Sequence, residues 1–283
     1  MNLTSIKSIQ ALLTKHNMVM SKSLGQNFLI NPQIPAKIAK AAEITADSTI
    51  VEIGPGIGCL TQELAKLAKK VVAVEIDKKL IPILTETLAE YDNIQLINAD
   101  FMDLDLKEFF TDLKEPIHVV ANLPYYITTP IIMALLEKDL PIVDITVMIQ
   151  KEVAQRFVAS AGNADYGSIT VSSGYYANAK ILFNVPPANF FPAPKVDSTV
   201  VKFNILNKKK DVFSRELLMK LIQSGFSMRR KTFVNNISAT FLLSKEKIIK
   251  IFDELNIKND IRAERLILDD FIRISDKLYE LND

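Results

Sequence analysis

Between residues 49 and 150 the chain alternates short, nearly continuous apolar runs with amphipathic stretches. The runs Thr49–Ile53, Val71–Glu75, Ile94–Asn98, Ile117–Asn122 and Ile142–Gln150 predict β-strands. Between them, Leu60–Lys69, Lys78–Tyr91, Leu106–Leu113 and Thr129–Lys138 carry helical spacing. Strands with no polar face need cover on both sides, and repeated parallel βαβ units supply it. After Ser168 a mixed helix–strand stretch runs to Val185, prolines follow, and a strand is predicted over Val196–Ile205. An antiparallel pair is therefore expected to complete the sheet.

The lysine-rich Asn207–Lys210 breaks this pattern. Beyond it only helices are predicted: Arg215–Phe226, Thr232–Phe241, Lys245–Leu255 and Asp269–Leu281, the last opening on two acids as the helix dipole prefers. The expected organisation is an α/β domain over residues 1–206, with an N-terminal arm of about 30 residues, and a small all-α domain over 207–283.

No run of 18 apolar residues and no basic-then-apolar leader is present, so membrane insertion and secretion are not expected and the cytoplasm is the expected compartment. A single cysteine, Cys59, and two histidines exclude an internal disulfide and a Cys/His zinc cluster, and no metal is expected. The net charge of +1 conceals a division along the chain. Residues 1–42 hold five lysines and no acid, and residues 195–231 hold ten basic against three acidic groups. Two basic segments around an acidic middle suit a polyanionic partner.

The sharpest local feature is Val51-Glu52-Ile53-Gly54-Pro55-Gly56-Ile57-Gly58, between a strand and a helix. Glycines there permit a tight turn and close approach of backbone to ligand. The spacing G-x-G-x-G is neither the dinucleotide fingerprint nor the P-loop. Glu52 beside the loop would repel a pyrophosphate but suits a ligand bearing an ammonium and a sulfonium, which describes S-adenosylmethionine. Glu75, Asp100 and Asn122 end the next three strands, at steps of 21, 25 and 22 residues from Gly54. In a parallel sheet all four positions meet in one crevice. Glu75 can accept both ribose hydroxyls, and Asp100 the adenine amino group, although either acid could instead cap a helix.

Asn122-Leu123-Pro124-Tyr125 follows the fourth strand. Pro124 stiffens the turn, the Asn122 oxygen and a backbone carbonyl offer two acceptors, and Tyr125 offers an aromatic face. That set suits the 6-amino group of adenine, whose delocalised nitrogen becomes a better nucleophile when its hydrogens are gripped. Orientation and electrostatics then carry the chemistry without a strong base. The proline-stiffened loop around Phe190 can present that ring at the pocket mouth for stacking, or bury it as a core plug. A reacting adenine must leave any stack, which points to a loop, single strand or flipped base.

Together, Gly25-Gln26-Asn27-Phe28-Leu29, the glycine loop through Thr61, NLPYY at 122–126, FFPAPKVDSTV at 190–200, FSMRRKT at 226–232 and RAERLILDDFIRISDKLY at 262–279 strongly resemble the bacterial KsgA/RsmA family of ribosomal RNA adenine dimethyltransferases. The resemblance runs from about residue 18 to the end. It implies a Rossmann-like class I methyltransferase domain with a small helical C-terminal domain, using S-adenosylmethionine and releasing S-adenosylhomocysteine. The implied reaction is N6,N6-dimethylation of two adjacent adenosines in a hairpin loop near the 3′ end of 16S rRNA, by a monomer acting on the 30S subunit late in assembly.

By the same resemblance Asn27 and Leu29 join Gly54, Glu75, Asp100 and Asn122 as cofactor contacts. Asn122, Leu123, Tyr125 and Phe190 form the base pocket, Leu123 through its carbonyl. Relatives often carry several arginines before GQNFL, where this chain has Lys22 alone, so RNA contact is expected to fall more on Arg229, Arg230 and Lys231. The nearest rival is the related class that modifies one 23S rRNA adenine. A second rival is an assembly factor acting through occupancy of the subunit, and an oxidoreductase is the distant third.

Overall fold

The computed structural model describes residues 2–21, 25–228 and 230–281, and the chain divides into two compact units. The first comprises Met1–Ala154 and Ala179–Ile205, the second Gln155–Asn178 and Leu206–Asp283. A seven-stranded sheet forms from β1 (Thr49–Ile53), β2 (Lys70–Glu75), β3 (Ile94–Asn98), β4 (Ile117–Asn122), β5 (Ile142–Gln150), β6 (Ala177–Val185) and β7 (Ser198–Ile205). Its order is β3-β2-β1-β4-β5-β7-β6. The first five strands run parallel to their neighbours, and β7 is antiparallel to β5. Order reverses between β1 and β4, so the crevice beyond the carboxyl ends of these strands is the expected ligand position.

Strand β1 is buried at all five residues, which explains its lack of alternation. One face of the sheet packs Ile50, Val120 and Met148 against Ile38 and Leu64 of two flanking helices, α2 (Gln33–Ala41) and α3 (Cys59–Ala65). A second cluster joins α1 (Ile6–Lys15) to α4 (Ile81–Thr87), through Ile9, Leu12 and Leu13 against Ile83 and Leu84. Glu86 of α4 fixes the end of α1, accepting from Lys15 Nζ at 2.6 Å and pairing with His16 Nε2 at 2.8 Å. The N-terminal arm expected from sequence thus contains a packed helix.

The five parallel strands fall where the apolar runs predict them, whereas the predicted helix over 78–91 is shortened to α4 by an entry turn and Pro82. The domain reading differs in one respect. Residues 155–178, expected in the first domain, pack with the C-terminal helices, which are α5 (Arg215–Ser227), α6 (Phe233–Phe241), α7 (Lys245–Glu254) and α8 (Leu268–Glu280). The reason is specific: the Tyr166 hydroxyl donates to the Leu266 carbonyl at 2.8 Å, and the Gly162 amide to the Glu264 carbonyl at 2.7 Å. Gly225 lets α5 lie against Phe233 and Ala263, because a Cβ there would come within 2.9 Å of the Phe233 ring.

Near the amino-terminal ends of the central strands lies a buried ion cluster. Lys202 of β7, 1% exposed, donates to Glu43 Oε2 at 2.6 Å and lies 3.1 Å from Asp144 Oδ2. Burial works against its charge, but Glu43 and Asp144 outweigh this and hold the ammonium above the usual lysine range. Removing the lysine leaves buried Asp144 without its ammonium partner, with only His118 Nδ1, 3.1 Å from Oδ1, beside it. Lys202→Ala should therefore destabilise the first unit by about 3–5 kcal/mol in urea unfolding; an unchanged midpoint would show that the cluster is not a structural pair.

Candidate active site

The loop after β1 turns through three glycines with φ of +70° at Gly54, +64° at Gly56 and +92° at Gly58. Gly58 shows why a side chain is excluded, since a Cβ would meet Leu88 at 3.0 Å in a backbone conformation L-residues rarely adopt. The loop closes one wall of a cavity at the carboxyl ends of β1, β2 and β4. Glu75 ends β2 and reaches across it. Its Oε2 accepts from the Gly56 amide at 3.2 Å and its Oε1 from the Asp77 amide at 2.8 Å. Burial raises its pKa, and these two amides pull against the rise.

Glu52 sits deeper, 1% exposed and lining the same cavity. Its Oε2 has no hydrogen-bond partner. Burial pushes the carboxyl up to about 8, while the nearby Thr61 hydroxyl, itself outside hydrogen-bonding geometry, pulls back and the charge of Glu75 adds to the rise. An acid held this way is poised for a cation. The orphaned carboxylate oxygen, the cradle of positive-φ glycines and the anchored Glu75 together fit the donor-bearing end and ribose of S-adenosylmethionine.

The other sequence-predicted site residues converge on this cavity. Asn27 and Leu29 reach it from the N-terminal segment, Asp100 from the turn after β3, and Asn122, Leu123 and Tyr125 from the turn after β4. Asp100 does both things that its sequence position allowed: it caps a short turn, accepting from the Met102 amide at 2.9 Å, and it lines the cavity. The NLPY turn is rigid. The Leu123 amide donates to the Met148 carbonyl at 3.1 Å, and the Pro124 carbonyl accepts from the Thr128 hydroxyl at 3.0 Å.

Phe190 departs from an exposed mouth. It is 3% exposed, belongs to the core cluster and lines the cavity as an inner wall. The cause is a two-residue antiparallel ladder in which Leu29 pairs with Phe190 and Phe28 with Phe191. The Ile30 amide extends it to the Asn189 carbonyl at 2.8 Å. No local sequence signal announces this pairing across some 160 residues. Cys59 and Gly56 also line the cavity without having been singled out as ligand contacts. Lys22 and Arg229 lie outside the described residues, while Arg230 and Lys231 are exposed between α5 and α6 of the second unit.

A mainly parallel sheet of this order, with a glycine turn and acidic residues at its carboxyl edge, defines a Rossmann-like methyltransferase. The chain matches the family model described as Ribosomal RNA adenine dimethylase over residues 17–280, and it belongs to that family. It is 44% identical over 276 residues to "Ribosomal RNA small subunit methyltransferase A" of Clostridioides difficile, covering 96% of each chain. To the protein of the same name from Lachnoclostridium phytofermentans it is 46% identical, over 95% of this chain and 94% of the other. Among solved structures, a dimethyladenosine transferase from Plasmodium falciparum superposes with a TM-score of 0.76 at 26% identity, covering 90% of this chain and 97% of that one. The 23S rRNA methyltransferase ErmE gives 0.68 at 26% identity, covering 89% and 99%. The protein is thus an rRNA adenine dimethyltransferase, and membership of this family implies use of S-adenosylmethionine.

Glu52 yields a direct test of the site's electrostatics. Its folded pKa of about 8 exceeds the ordinary 4.5, so the folded state holds a proton that the unfolded chain releases. That contribution is complete below about pH 4.5 and is lost as pH rises towards 8. In ligand-free protein, Glu52→Gln should raise Tm over wild type progressively across this window, with little difference at pH 4.5. A constant difference at all pH values would mean that Glu52 ionises normally.

Proposed function

We propose that the protein dimethylates N6 of two adjacent adenosines in a hairpin loop near the 3′ end of 16S rRNA, acting as a cytoplasmic monomer on the 30S subunit late in its assembly. One observation carries the reading: the paired acceptors and aromatic walls of a base pocket open into the same cavity as the acidic slot and glycine turn. The names of the relatives, over almost the whole chain, favour the small-subunit substrate over the 23S alternative.

When bound, S-adenosylmethionine supplies an electrophilic methyl group on a positively charged sulfur. Asn27, Leu29, Gly54, Glu75 and Asp100, with Asn122 at the border, would hold it, and Glu52 faces it with a buried carboxyl whose ionisation a bound cation favours. The Pro124 carbonyl is occupied by Thr128, so the acceptors offered to adenine are the Asn122 oxygen and the Leu123 carbonyl. Gripping both amino hydrogens aims the nitrogen lone pair, and Tyr125 and Phe190 flank the ring. Orientation is the main contribution of the protein.

RNA contact falls on Lys22, Arg229, Arg230 and Lys231. The basic segment 195–231 contributes less than its charge suggests, since Lys202 is interior and Lys210 pairs with Asp269. A catalytically dead variant that restored subunit maturation in cells would favour the alternative in which occupancy is the essential role.

The test is incubation of purified protein, labelled S-adenosylmethionine and unmethylated small subunits, followed by digestion to nucleosides and mapping of the modified positions. Label in N6,N6-dimethyladenosine at two adjacent sites is expected, and small-subunit RNA left unlabelled, beside large-subunit RNA labelled in a parallel incubation, overturns the reading. Asn122→Ala should lower kcat roughly 100-fold, by analogy with loss of one transition-state hydrogen bond, with cofactor affinity within a few-fold. Glu75→Ala should instead weaken cofactor binding by about 1.5–3 kcal/mol in calorimetry. Unchanged turnover in the first, or unchanged affinity in the second, removes that residue from its role.

A further inference from the structure

The Tyr125 ring lines the base pocket, but its backbone turn fixes only where the side chain begins. Two torsions remain, and the far end of the ring is held by one contact: the Tyr125 hydroxyl lies 2.7 Å from Ser198 Oγ. Ser198 is wholly buried, the first residue of β7, in register with Gln150 of β5. The neighbouring Lys151 amide donates to the Asp197 carbonyl at 3.0 Å, which pins the strand's entry. The hydroxyl of Ser198 therefore projects from a strand end that pairing with β5 and the Lys151–Asp197 bond hold in place.

We propose that Ser198 is a positioning residue for methyl transfer, holding the Tyr125 ring at the angle that receives adenine. The proposal rests on the assignment of Tyr125 to the base pocket. A serine is suited to the task because its hydroxyl both donates and accepts, so it matches either orientation of the phenol hydrogen. With the phenol tethered at one end and the NLPY turn locked at the other, the ring cannot rotate into the cavity before the base arrives. The cost of ordering it is met on folding, and binding no longer bears it.

The same strand carries the loop that ends in Phe190, which is itself fixed to Leu29. Both aromatic walls of the pocket are thus referred to fixed backbone, Tyr125 through a side-chain bond and Phe190 through a ladder. Only the first can be cut by one side-chain change.

The experiment is a double-variant cycle on full-length protein with unmethylated small subunits. Ser198→Ala should lower kcat about 10-fold, the scale of a modest misplacement, while KM changes less. Calorimetric affinity for S-adenosylhomocysteine should stay within two-fold and Tm close to wild type. Tyr125→Phe cuts the same bond from the other side without touching the sheet, and should lose the same factor. The combined variant should lose no more than either alone, and Ser198→Cys, with a weaker polar group, should recover part of the rate. Wild-type kcat in Ser198→Ala, or losses that multiply in the combined variant, overturn the proposal. Tyr125→Ala separates the two levels. If it turns over normally, the base-pocket assignment falls and the role of Ser198 with it. If it is crippled while Ser198→Ala and Tyr125→Phe are not, only the role of Ser198 falls.

Discussion

The hydrogen bond from the Gly56 amide to the Glu75 carboxylate ties the loop after β1 to the end of β2, and the crevice takes its shape from that tie. Without it the three left-handed glycines would have many alternative paths, since glycine carries the largest backbone entropy of any residue. With it the loop stands open beside a second, deeper carboxylate. The parallel register makes the arrangement available, because Glu52 pairs with Ala73 while Glu75 pairs with Asn98, placing successive polar residues along one edge. The site follows from strand pairing first and from side-chain chemistry second.

The catalytic demands on such a site are modest in acid–base terms and severe in geometry. An aromatic amino nitrogen attacks poorly until its hydrogens are held and its lone pair is aimed, so on the proposed reading rigidity around Asn122 matters more than a titratable base. The structure supplies it redundantly: Leu123 is fastened to β5, Pro124 to the helix Thr128–Glu137, and the Tyr125 side chain to β7. Three different elements converge on three consecutive residues.

What could be read from sequence was whatever has a local signature. Doubly covered strands are apolar without interruption, and polar residues that end them are conspicuous by contrast, so β1 to β5, Glu75, Asp100 and Asn122 were all legible. Residues 6–15 and 33–41 were not read as helices: the first sits in a lysine-bearing segment, and the second follows Pro32 and contains Pro35, which suggest a loop unless tertiary packing is known. Asn27 and Leu29 came from resemblance, because their place depends on a ladder to residues near 190. The membership of residues 155–178 in the second unit hangs on contacts a hundred residues apart, and Ser198 is an ordinary strand serine until Tyr125 is seen beside it.

The two ends of the central sheet treat buried charge in opposite ways. Near the amino-terminal ends Asp144 is answered by Lys202, which also reaches Glu43, so the cluster is compensated within the protein. At the carboxyl end Glu52 is buried just as deeply, its Oε2 has no hydrogen-bond partner, and burial suppresses its ionisation instead of a counter-ion meeting it. A fold selected only for stability would remove such a group, since an unpaired buried acid costs free energy and an apolar residue of like volume would not. Its retention makes sense if the missing counter-charge arrives with the ligand, in which case the same asymmetry that lowers the stability of the empty protein supplies selectivity for a cationic donor over its neutral product.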